Sequence, residues 1–183
     1  MSQIVSSIKE QGIQHKYAKV KELYIGGDEV PTHVLEDMYA VFPNATISVF
    51  YGPTEGTVFV TTKNYERKET TFKGAVIGTP NISSQIYILD EFHKQVPFGV
   101  TGELCIGGAQ VGKGYLNNET LTNEKFVQNP FKANEKIYKT GDLAQWLPNG
   151  NITFIGRKDN QVKIRGNRIE LGEIEKQLNA HNL

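Results

Sequence analysis

The chain has 183 residues, with 20 Lys and Arg, 20 Asp and Glu, and a formal net charge of zero. A zero net charge argues against a dedicated nucleic-acid-binding protein, which normally carries a basic excess. No apolar run approaches the roughly 20 residues that a membrane-spanning helix needs, so none is expected. Cys105 is the single cysteine, which excludes an internal disulfide. Met1 begins no basic and apolar leader, so a cytoplasmic location is expected.

Strand-like and helix-like patterns alternate in the first part of the chain. An apolar run at 20–25 ends at Gly26-Gly27, which predicts a strand entering a tight loop. Apolar residues at helical spacing predict a helix over 31–42. A second strand is predicted over 46–51, where Gly52-Pro53 ends it. Strand, helix and strand in this order favour a parallel βαβ unit.

From about residue 73 the pattern changes to short strands with turn residues between them. Strands are predicted at 84–89, 103–106, 136–139, 143–147 and 151–155. Pro148-Asn149-Gly150 is typical of a hairpin turn, and a short helix is predicted at 119–126. This series favours a small antiparallel barrel or sandwich. Further on, Leu171, Ile174 and Leu178 predict an amphipathic helix over 170–178.

Two motifs have simpler structural explanations. Residues 107–113 match the phosphate-loop pattern G-x-x-x-x-G-K, but Gly114 follows where Ser or Thr and a helix are needed. A glycine-rich turn between strands is therefore favoured. The basic residues at 157–168 are interleaved with acidic ones and lack aromatic neighbours for base stacking. A solvated or interdomain face is favoured there over nucleic-acid binding.

The run Tyr51-Gly52-Pro53-Thr54-Glu55 is the segment most suited to ligand chemistry. Gly52 lets a ligand approach the backbone closely. Thr54 can donate a hydrogen bond to a phosphate oxygen, and Glu55 offers the hard oxygen ligands that Mg²⁺ prefers. Taken alone, a structural turn explains these five residues about as well.

Three further motifs follow this run in order. They are Gly102-Glu103-Leu104 with Gly114-Tyr115-Leu116, the sequence YKTGDL at 138–143, and GRKDNQVKIRGNRIELGEIE at 156–175. Together with Tyr51 to Glu55, they closely resemble the adenylate-forming superfamily. The amino-acid-activating adenylation domains of nonribosomal peptide synthetases are the most similar branch, and the D-alanine–carrier-protein ligases are also similar. The resemblance extends from Leu23 to the end of the sequence.

The resemblance implies an α+β fold in three parts. Residues 1–72 would form the end of an α/β parallel-sheet lobe that binds nucleotide. Residues 73–156 would form a small antiparallel β-barrel. Residues 157–183 would contain a hinge and the start of a C-terminal α+β lobe.

The resemblance also implies an activity. Such enzymes join a carboxylate substrate to the α-phosphate of ATP with Mg²⁺, release pyrophosphate, and pass the acyl group to the phosphopantetheine thiol of a carrier protein. Thr54 and Glu55 would be the catalytic residues, with Thr54 on phosphate and Glu55 as the Mg²⁺ ligand. Tyr51 would lie against the adenine. The implied nucleotide-binding set is Gly26, Gly27, Tyr51, Gly52, Thr54, Asp142 and Arg157, of which the last two would contact the ribose.

Two segments would take part in the later thiol step. Asp159 is at the position of the family's hinge, about which the small C-terminal lobe rotates between adenylation and thiolation. Residues 163–166 would form a loop near the incoming pantetheine thiol.

Part of a substrate pocket is implied as well, lined by Tyr24, Gly26, Phe50, Val58 and Phe59. Phe50 is bulky for a position that often holds a small residue, so a shallow pocket and a small amino or carboxylic acid are expected. Val49 stands where the family usually has an Asn that recognises the adenine amino group. The side chain of Val49 cannot make that hydrogen bond.

Two elements of the family's catalytic apparatus do not occur in these 183 residues. One is the Ser/Thr/Gly-rich phosphate loop that ends in Pro-Lys-Gly, and the other is a C-terminal catalytic Lys. The chain is therefore expected to be part of an adenylation domain that binds Mg–ATP weakly and does not catalyse adenylation alone. A fragment of an acyl-CoA or aryl-acid ligase, and a non-catalytic remnant or interaction module, are the alternatives.

Overall fold

The computed structural model describes residues 1–28, 30–66, 75–159, 161–164, 167–169 and 171–181. Its α-helices are α1 (Ser2–Glu10), α2 (Thr32–Val41), α3 (Glu119–Lys125) and α4 (Leu171–Ala180). Two short 3₁₀ helices occupy Gln14–Tyr17 and Thr54–Gly56. The first strands are β1 (Glu22–Gly26), β2 (Thr46–Tyr51), β3 (Thr61–Tyr65), β4 (Val76–Pro80), β5 (Ser84–Leu89) and β6 (Gly102–Gly108). The later strands are β7 (Phe126–Gln128), β8 (Lys136–Trp146), β9 (Ile152–Arg157), β10 (Val162–Ile164) and β11 (Asn167–Ile169).

The predicted βαβ unit is confirmed. Strands β1 and β2 pair in parallel, with Leu23 opposite Ile47, and α2 connects them. Helix α2 starts after Pro31, whose extended backbone suits the residue before a first turn. Leu35 and Met38 on α2 are fully buried, and they join a core cluster with residues of α1, β1 and β2. The helical spacing of these apolar residues is therefore what places α2 against the sheet.

The α+β class is confirmed, but the predicted barrel at 73–156 is not closed. Nine strands form one sheet in the order β1-β2-β3-β4-β9-β8-β6-β5, with β7 paired to β8. Strand β4 pairs with β3 through Thr61 and Pro80, and with β9 through Val76 and Thr153. The antiparallel strands thus extend the sheet that β1 and β2 begin. Within the described residues, β1 and β5 are the two ends of the eight-strand order, and β7 lies beside β8.

The predicted hairpin turn is confirmed within this sheet, whereas some predicted strand bounds differ. The Pro148-Asn149-Gly150 turn connects β8 to β9, where the Gly150 amide donates to the Leu147 carbonyl at 3.0 Å. The two strands predicted at 136–139 and 143–147 are one continuous strand, β8. A left-handed Gly141 at φ +75° interrupts its pattern in the middle. The elements α1, β3, β4, β7, β10 and β11 are additional to those predicted.

A second core cluster lies in the antiparallel part of the sheet. Leu104 and Ile106 of β6, Tyr138 of β8 and Ile152 of β9 are buried there. Helix α4 forms as predicted, and its Ile174 and Leu178 are exposed. In the described part of the chain, no helix combines the length and apolar character needed to cross a membrane.

One predicted boundary and part of one predicted loop fall on residues that the structure does not describe. The division between residues 72 and 73 lies outside the described residues, and so do residues 165 and 166 of the predicted 163–166 loop. Residues 163 and 164 of the predicted loop belong to strand β10, which pairs antiparallel with β11.

Candidate functional site

Three of the predicted nucleotide-binding side chains meet where β2, β8 and β9 lie close together. The Tyr51 hydroxyl at the end of β2 donates to Oδ2 of Asp142 in β8. Arg157 ends β9 directly opposite Asp142, and its Nη1 donates to Asp142 Oδ1 at 2.7 Å. Each oxygen of the Asp142 carboxylate therefore accepts one hydrogen bond from a residue far away in the sequence.

The surroundings of Tyr51 keep its hydroxyl protonated. Burial of the phenol, followed by the negative charge of Asp142 and the hydrogen bond to it, raises the pKa of Tyr51 well above its usual value. A neutral Tyr51 is consequently a hydrogen-bond donor to Asp142 throughout the ordinary pH range.

Arg157 also joins this cluster to the predicted hinge residue. Its Nε donates to Asp159 Oδ1 at 2.8 Å, and its Nη2 donates to Asp159 Oδ2 at 2.5 Å. Burial opposes the charge on Arg157, but hydrogen bonds to Asp159 and the charge of Asp142 raise the pKa of its guanidinium overall. Burial likewise opposes the charge on Asp159, but Arg157 and the Gln161 amide lower its pKa overall. A bidentate pair of this kind fixes both side chains in one plane.

Residues that the sequence analysis did not assign to the site support this cluster from β6 and β8. The Thr140 hydroxyl donates to the Leu104 carbonyl at 2.6 Å and accepts from the Asp142 amide at 2.9 Å. Glu103 Oε1 accepts from the Gly141 amide at 3.3 Å. Glu103 Oε2 also pairs with Lys158 Nζ at 3.3 Å. Thr140 and Glu103 both belong to motifs quoted above, and this membership is the sequence signal that could have assigned them to the site.

Replacing Gly141 with alanine is expected to lower the free energy of unfolding by about 1–3 kcal/mol, because a side chain there is strained and crowded. Gly141 has φ +75°. An added Cβ would lie 2.8 Å from Asp159 Oδ2 and 2.9 Å from Arg157 Nη2. Urea unfolding measures the change.

Gly150→Ala is the matched control for this substitution. Gly150 has nearly the same φ, +77°, but no described atom lies within 4 Å of an added Cβ. The loss of unfolding free energy in Gly150→Ala should therefore reflect backbone strain alone and be smaller than that in Gly141→Ala. Equal losses in the two variants would show that crowding at the Asp142 cluster has no energetic effect.

Thr54 and Glu55 lie in a separate turn next to the loop that follows β6. Glu55 Oε1 accepts a hydrogen bond from the Tyr115 hydroxyl at 2.6 Å, and the Glu55 carbonyl accepts from the Gly112 amide at 2.8 Å. The Thr54 side chain is exposed. Thr57 and Val58, which follow, are β-branched residues with φ of +58° and +72°. Such strained positions cluster at ligand sites.

The donor chemistry of this turn suits Mg²⁺ that is shared with a phosphate. Glu55 supplies a carboxylate held at one oxygen by Tyr115. Across the described residues, no group of three or more His, Cys, Asp or Glu side chains could enclose a metal ion. Mg²⁺ is usually bound by one or two carboxylates together with substrate phosphates and waters, rather than by an all-protein cage. A single carboxylate fits that arrangement.

The predicted substrate-pocket residues form an aromatic stack at the end of the parallel strands. The rings of Tyr24 and Phe50 stack with centroids 5.5 Å apart, and those of Phe50 and Phe59 with centroids 4.4 Å apart. Tyr24, Val58 and Phe59 are exposed. An open, apolar surface therefore lies here. Val49, by contrast, is buried in the first core cluster, where it contributes packing.

The predicted glycines differ in their surroundings. An added Cβ at Gly26 would lie 2.6 Å from the Phe50 carbonyl oxygen, and one at Gly52 would collide with the backbone of Val58. Both glycines thus allow two chain segments to pack closely. Gly27 has φ +90°, and no described atom lies within 4 Å of its added Cβ. Gly27 is therefore needed for its backbone conformation and leaves open space beside it.

Two other predictions concern residues outside these clusters. Residues 107–113 form the end of β6 and a loop, and the next helix begins at Glu119, so the glycine-rich turn is confirmed. Cys105 is buried in β6, and burial raises the pKa of its thiol to about 12. Because the thiolate is the reactive form, Cys105 is expected to be an unreactive, structural residue.

This chain is similar in sequence to an enzyme family and to several large synthases. A family model described as AMP-binding enzyme matches residues 1–116. Bacitracin synthase 1 of Bacillus licheniformis is 47% identical over 165 residues, which is 88% of this chain and 3% of that synthase. Surfactin synthase subunit 2 of Bacillus subtilis is 46% identical over 164 residues, which is 89% of this chain and 4% of that subunit.

A solved structure is similar over almost the whole chain. It is holo-PA1221, described as a nonribosomal peptide synthetase protein containing adenylation and PCP domains bound to a vinylsulfonamide inhibitor. The TM-score is 0.86 at 25% identity, over 99% of this chain and 32% of that chain. This chain therefore spans a small part of the length of its relatives. The family match and the identity of these relatives agree with the motif resemblance, and the chain belongs to the AMP-binding enzyme family.

Proposed function

We propose that this chain is the nucleotide-facing part of an ATP-dependent enzyme that activates an amino acid as its aminoacyl adenylate and loads a carrier-protein thiol. The observation that carries the proposal is the meeting of Tyr51, Asp142 and Arg157 at one place in the sheet. These are the side chains that the motif resemblance assigns to the adenine and the ribose. The bacitracin and surfactin synthases among its relatives support the amino-acid branch over an acyl-CoA or aryl-acid ligase.

Asp142 is suited to hold a ribose. A carboxylate has about four lone-pair positions. Tyr51 and Arg157 each use one of them, on different oxygens. The remaining positions can accept the two ribose hydroxyls, while the guanidinium of Arg157 holds the carboxylate in a fixed orientation.

The turn at Thr54 and Glu55 would face the phosphates. Thr54 is exposed and can donate to a phosphate oxygen, while Glu55 would hold Mg²⁺. Bound Mg²⁺ would neutralise the charge that develops on the phosphate oxygens. Gly27, with open space beside it, would leave room for the nucleotide backbone.

The remaining roles follow from the same family relation. The stack of Tyr24, Phe50 and Phe59, with Gly26 and Val58, would form one wall of a shallow pocket for a small amino or carboxylic acid. Asp159 would be the hinge before the lobe that turns towards the phosphopantetheine of the carrier protein. We place the protein in the cytoplasm.

The 183-residue chain itself is expected to bind Mg–ATP weakly and not to catalyse pyrophosphate exchange. Its sequence contains no Pro-Lys-Gly phosphate loop to hold the β- and γ-phosphates. Catalysis of phosphoryl transfer depends almost entirely on such positioning and electrostatic contacts. If the folded chain had no affinity for nucleotide, the alternative of a non-catalytic remnant would be favoured.

Titration of the chain with Mg–ATP, followed by ligand-observed NMR, tests the proposal. We expect a Kd on the order of 0.1–1 mM and at least a tenfold loss in Asp142→Asn, because charge-assisted hydrogen bonds to the ribose are removed. Asp90→Asn is the matched control, since it removes the same charge from a surface turn. Absence of binding by a chain that unfolds cooperatively would contradict the proposal and support the remnant.

A further inference from the structure

We infer that Tyr115 is a positioning residue that orients the Glu55 carboxylate for a divalent cation. The inference rests on the proposed function, since it assigns the same turn to Mg–ATP. Tyr115 belongs to the Gly-Tyr-Leu motif, to which the sequence analysis assigns no role. Its hydroxyl donates to Glu55 Oε1 at 2.6 Å, across 60 residues of sequence.

The direction of the Tyr115 hydroxyl is set by contacts at two points. The Tyr115 amide donates to Thr122 Oγ1 of α3 at 2.8 Å. The Tyr115 ring packs edge-on against Phe126, with centroids 5.5 Å apart and an interplanar angle of 74°. Phe126 is itself only 2% exposed. The backbone and the ring of Tyr115 are therefore held before its hydroxyl reaches Glu55.

A second tyrosine completes this arrangement. The Tyr138 hydroxyl lies 3.4 Å from that of Tyr115, and Tyr138 is 1% exposed. Tyr138 also interacts with Glu55, so the two tyrosines and the carboxylate form one polar group. Burial, then the hydrogen bond with Tyr115, raises the pKa of Tyr138 well above its usual range, so Tyr138 stays neutral.

This geometry matters for Mg²⁺ because the ion demands nearly ideal octahedral coordination and tolerates little ligand movement. Glu55 is half-buried in a short turn, where the orientation of its carboxylate depends on the groups packed around it. The hydrogen bond from Tyr115 to Oε1 restricts the orientation of the carboxylate. Partners of this kind behind a metal ligand typically contribute about 10–100-fold to metal affinity.

The first test compares ATP affinity with Mg²⁺ and with EDTA, using ligand-observed NMR on the 183-residue chain. Tyr115→Phe removes only the hydroxyl and keeps the ring against Phe126. We expect it to reduce the Mg²⁺ enhancement of ATP affinity about tenfold, with the affinity in EDTA unchanged. If Tyr115 had a purely structural role, Tyr115→Phe would lower the ATP affinity both with Mg²⁺ and with EDTA. Tyr87→Phe is the control, because the Tyr87 hydroxyl bonds to Gln85 and Asn129 in another part of the sheet.

The second test needs no nucleotide. A double-mutant cycle of Tyr115→Phe and Glu55→Gln in urea unfolding isolates their mutual contact. We expect the combined effect on the unfolding constant to differ about tenfold from the product of the single effects, as a charge-assisted hydrogen bond predicts. The cycle of Tyr87→Phe with Glu55→Gln should show no coupling.

The outcomes separate this inference from the proposed function. If Glu55→Gln abolishes the Mg²⁺ enhancement while Tyr115→Phe preserves it, the positioning role is wrong and the proposed function stands. Absence of coupling in the cycle would also overturn it. If the unaltered chain binds no ATP, the proposed function fails and the inference fails with it.

Discussion

Replacing Arg157 with alanine is expected to lower the free energy of unfolding by about 3 kcal/mol, because it leaves two carboxylates without their partner. The guanidinium bonds to Asp142, to Asp159 and to the Thr140 carbonyl, and its side chain is only 20% exposed. ATP affinity should fall as well, since Asp142 loses the contact that orients it. Urea unfolding at neutral pH gives the first quantity, and NMR titration gives the second.

Lys132→Ala is the control for Arg157→Ala. The ion pair of Lys132 with Glu135 is about half exposed on both sides, so its loss should change stability by less than about 0.5 kcal/mol. Arg157→Lys keeps the positive charge but cannot bond to Asp142 and Asp159 as the planar guanidinium does. Its free energy of unfolding should therefore lie between those of Arg157→Ala and the native chain. An Arg157→Ala loss as small as that of Lys132→Ala would mean that the cluster is effectively solvated.

The pH dependence gives Arg157→Ala a second signature. Arg157 lowers the pKa of Asp159 in the folded chain. A carboxyl group with a lowered folded pKa stabilises the fold above its unfolded pKa of about 3.9, and this contribution is lost as the pH falls through the folded value. Arg157→Ala removes the cause of the shift, so its stability should decline less between neutral and acidic pH. Parallel pH profiles for the two chains would contradict this explanation.

Replacing Leu35 with alanine is expected to cost about 2–5 kcal/mol of folding free energy, because it leaves a cavity where α2 packs on the parallel strands. Leu35 is 0% exposed and lies in the first core cluster. Alanine favours helix as much as leucine does or more, so the loss reports packing rather than helix propensity. Chemical denaturation measures it.

The neighbouring position provides the control for Leu35→Ala. Glu36 is exposed on the same helix, and Glu36→Ala should change stability by less than about 0.5 kcal/mol. A loss below about 1 kcal/mol for Leu35→Ala would show that α2 repacks freely or contributes little to the core. Such a result would leave the antiparallel part of the sheet as the main source of stability.

The Arg157 and Leu35 predictions concern different halves of the same sheet. Leu35 stabilises the parallel strands that carry Tyr24 in β1 and Tyr51 at the end of β2. Arg157 holds the ends of β8 and β9 together beside Tyr51. The proposed nucleotide site thus depends on both halves, since Tyr51 comes from one and Asp142 from the other.

Local sequence patterns were sufficient to predict the parallel unit and the strands at 46–51 and 84–89. They succeed because burial of one face imposes a fixed period on each helix or strand. The motifs also located Tyr51, Asp142 and Arg157, which do meet. A motif identifies such residues through family resemblance, and it says nothing of the bonds among them.

Contacts between distant segments account for the rest. The open sheet depends on β4 pairing with both β3 and β9, and the Tyr115 bond to Glu55 joins residues 60 positions apart. Likewise, Glu103 supports Gly141 and Lys158 only because β6 pairs with β8 and β8 with β9. Periodicity describes each segment separately, whereas these contacts follow from how strands far apart in sequence pair in the complete sheet.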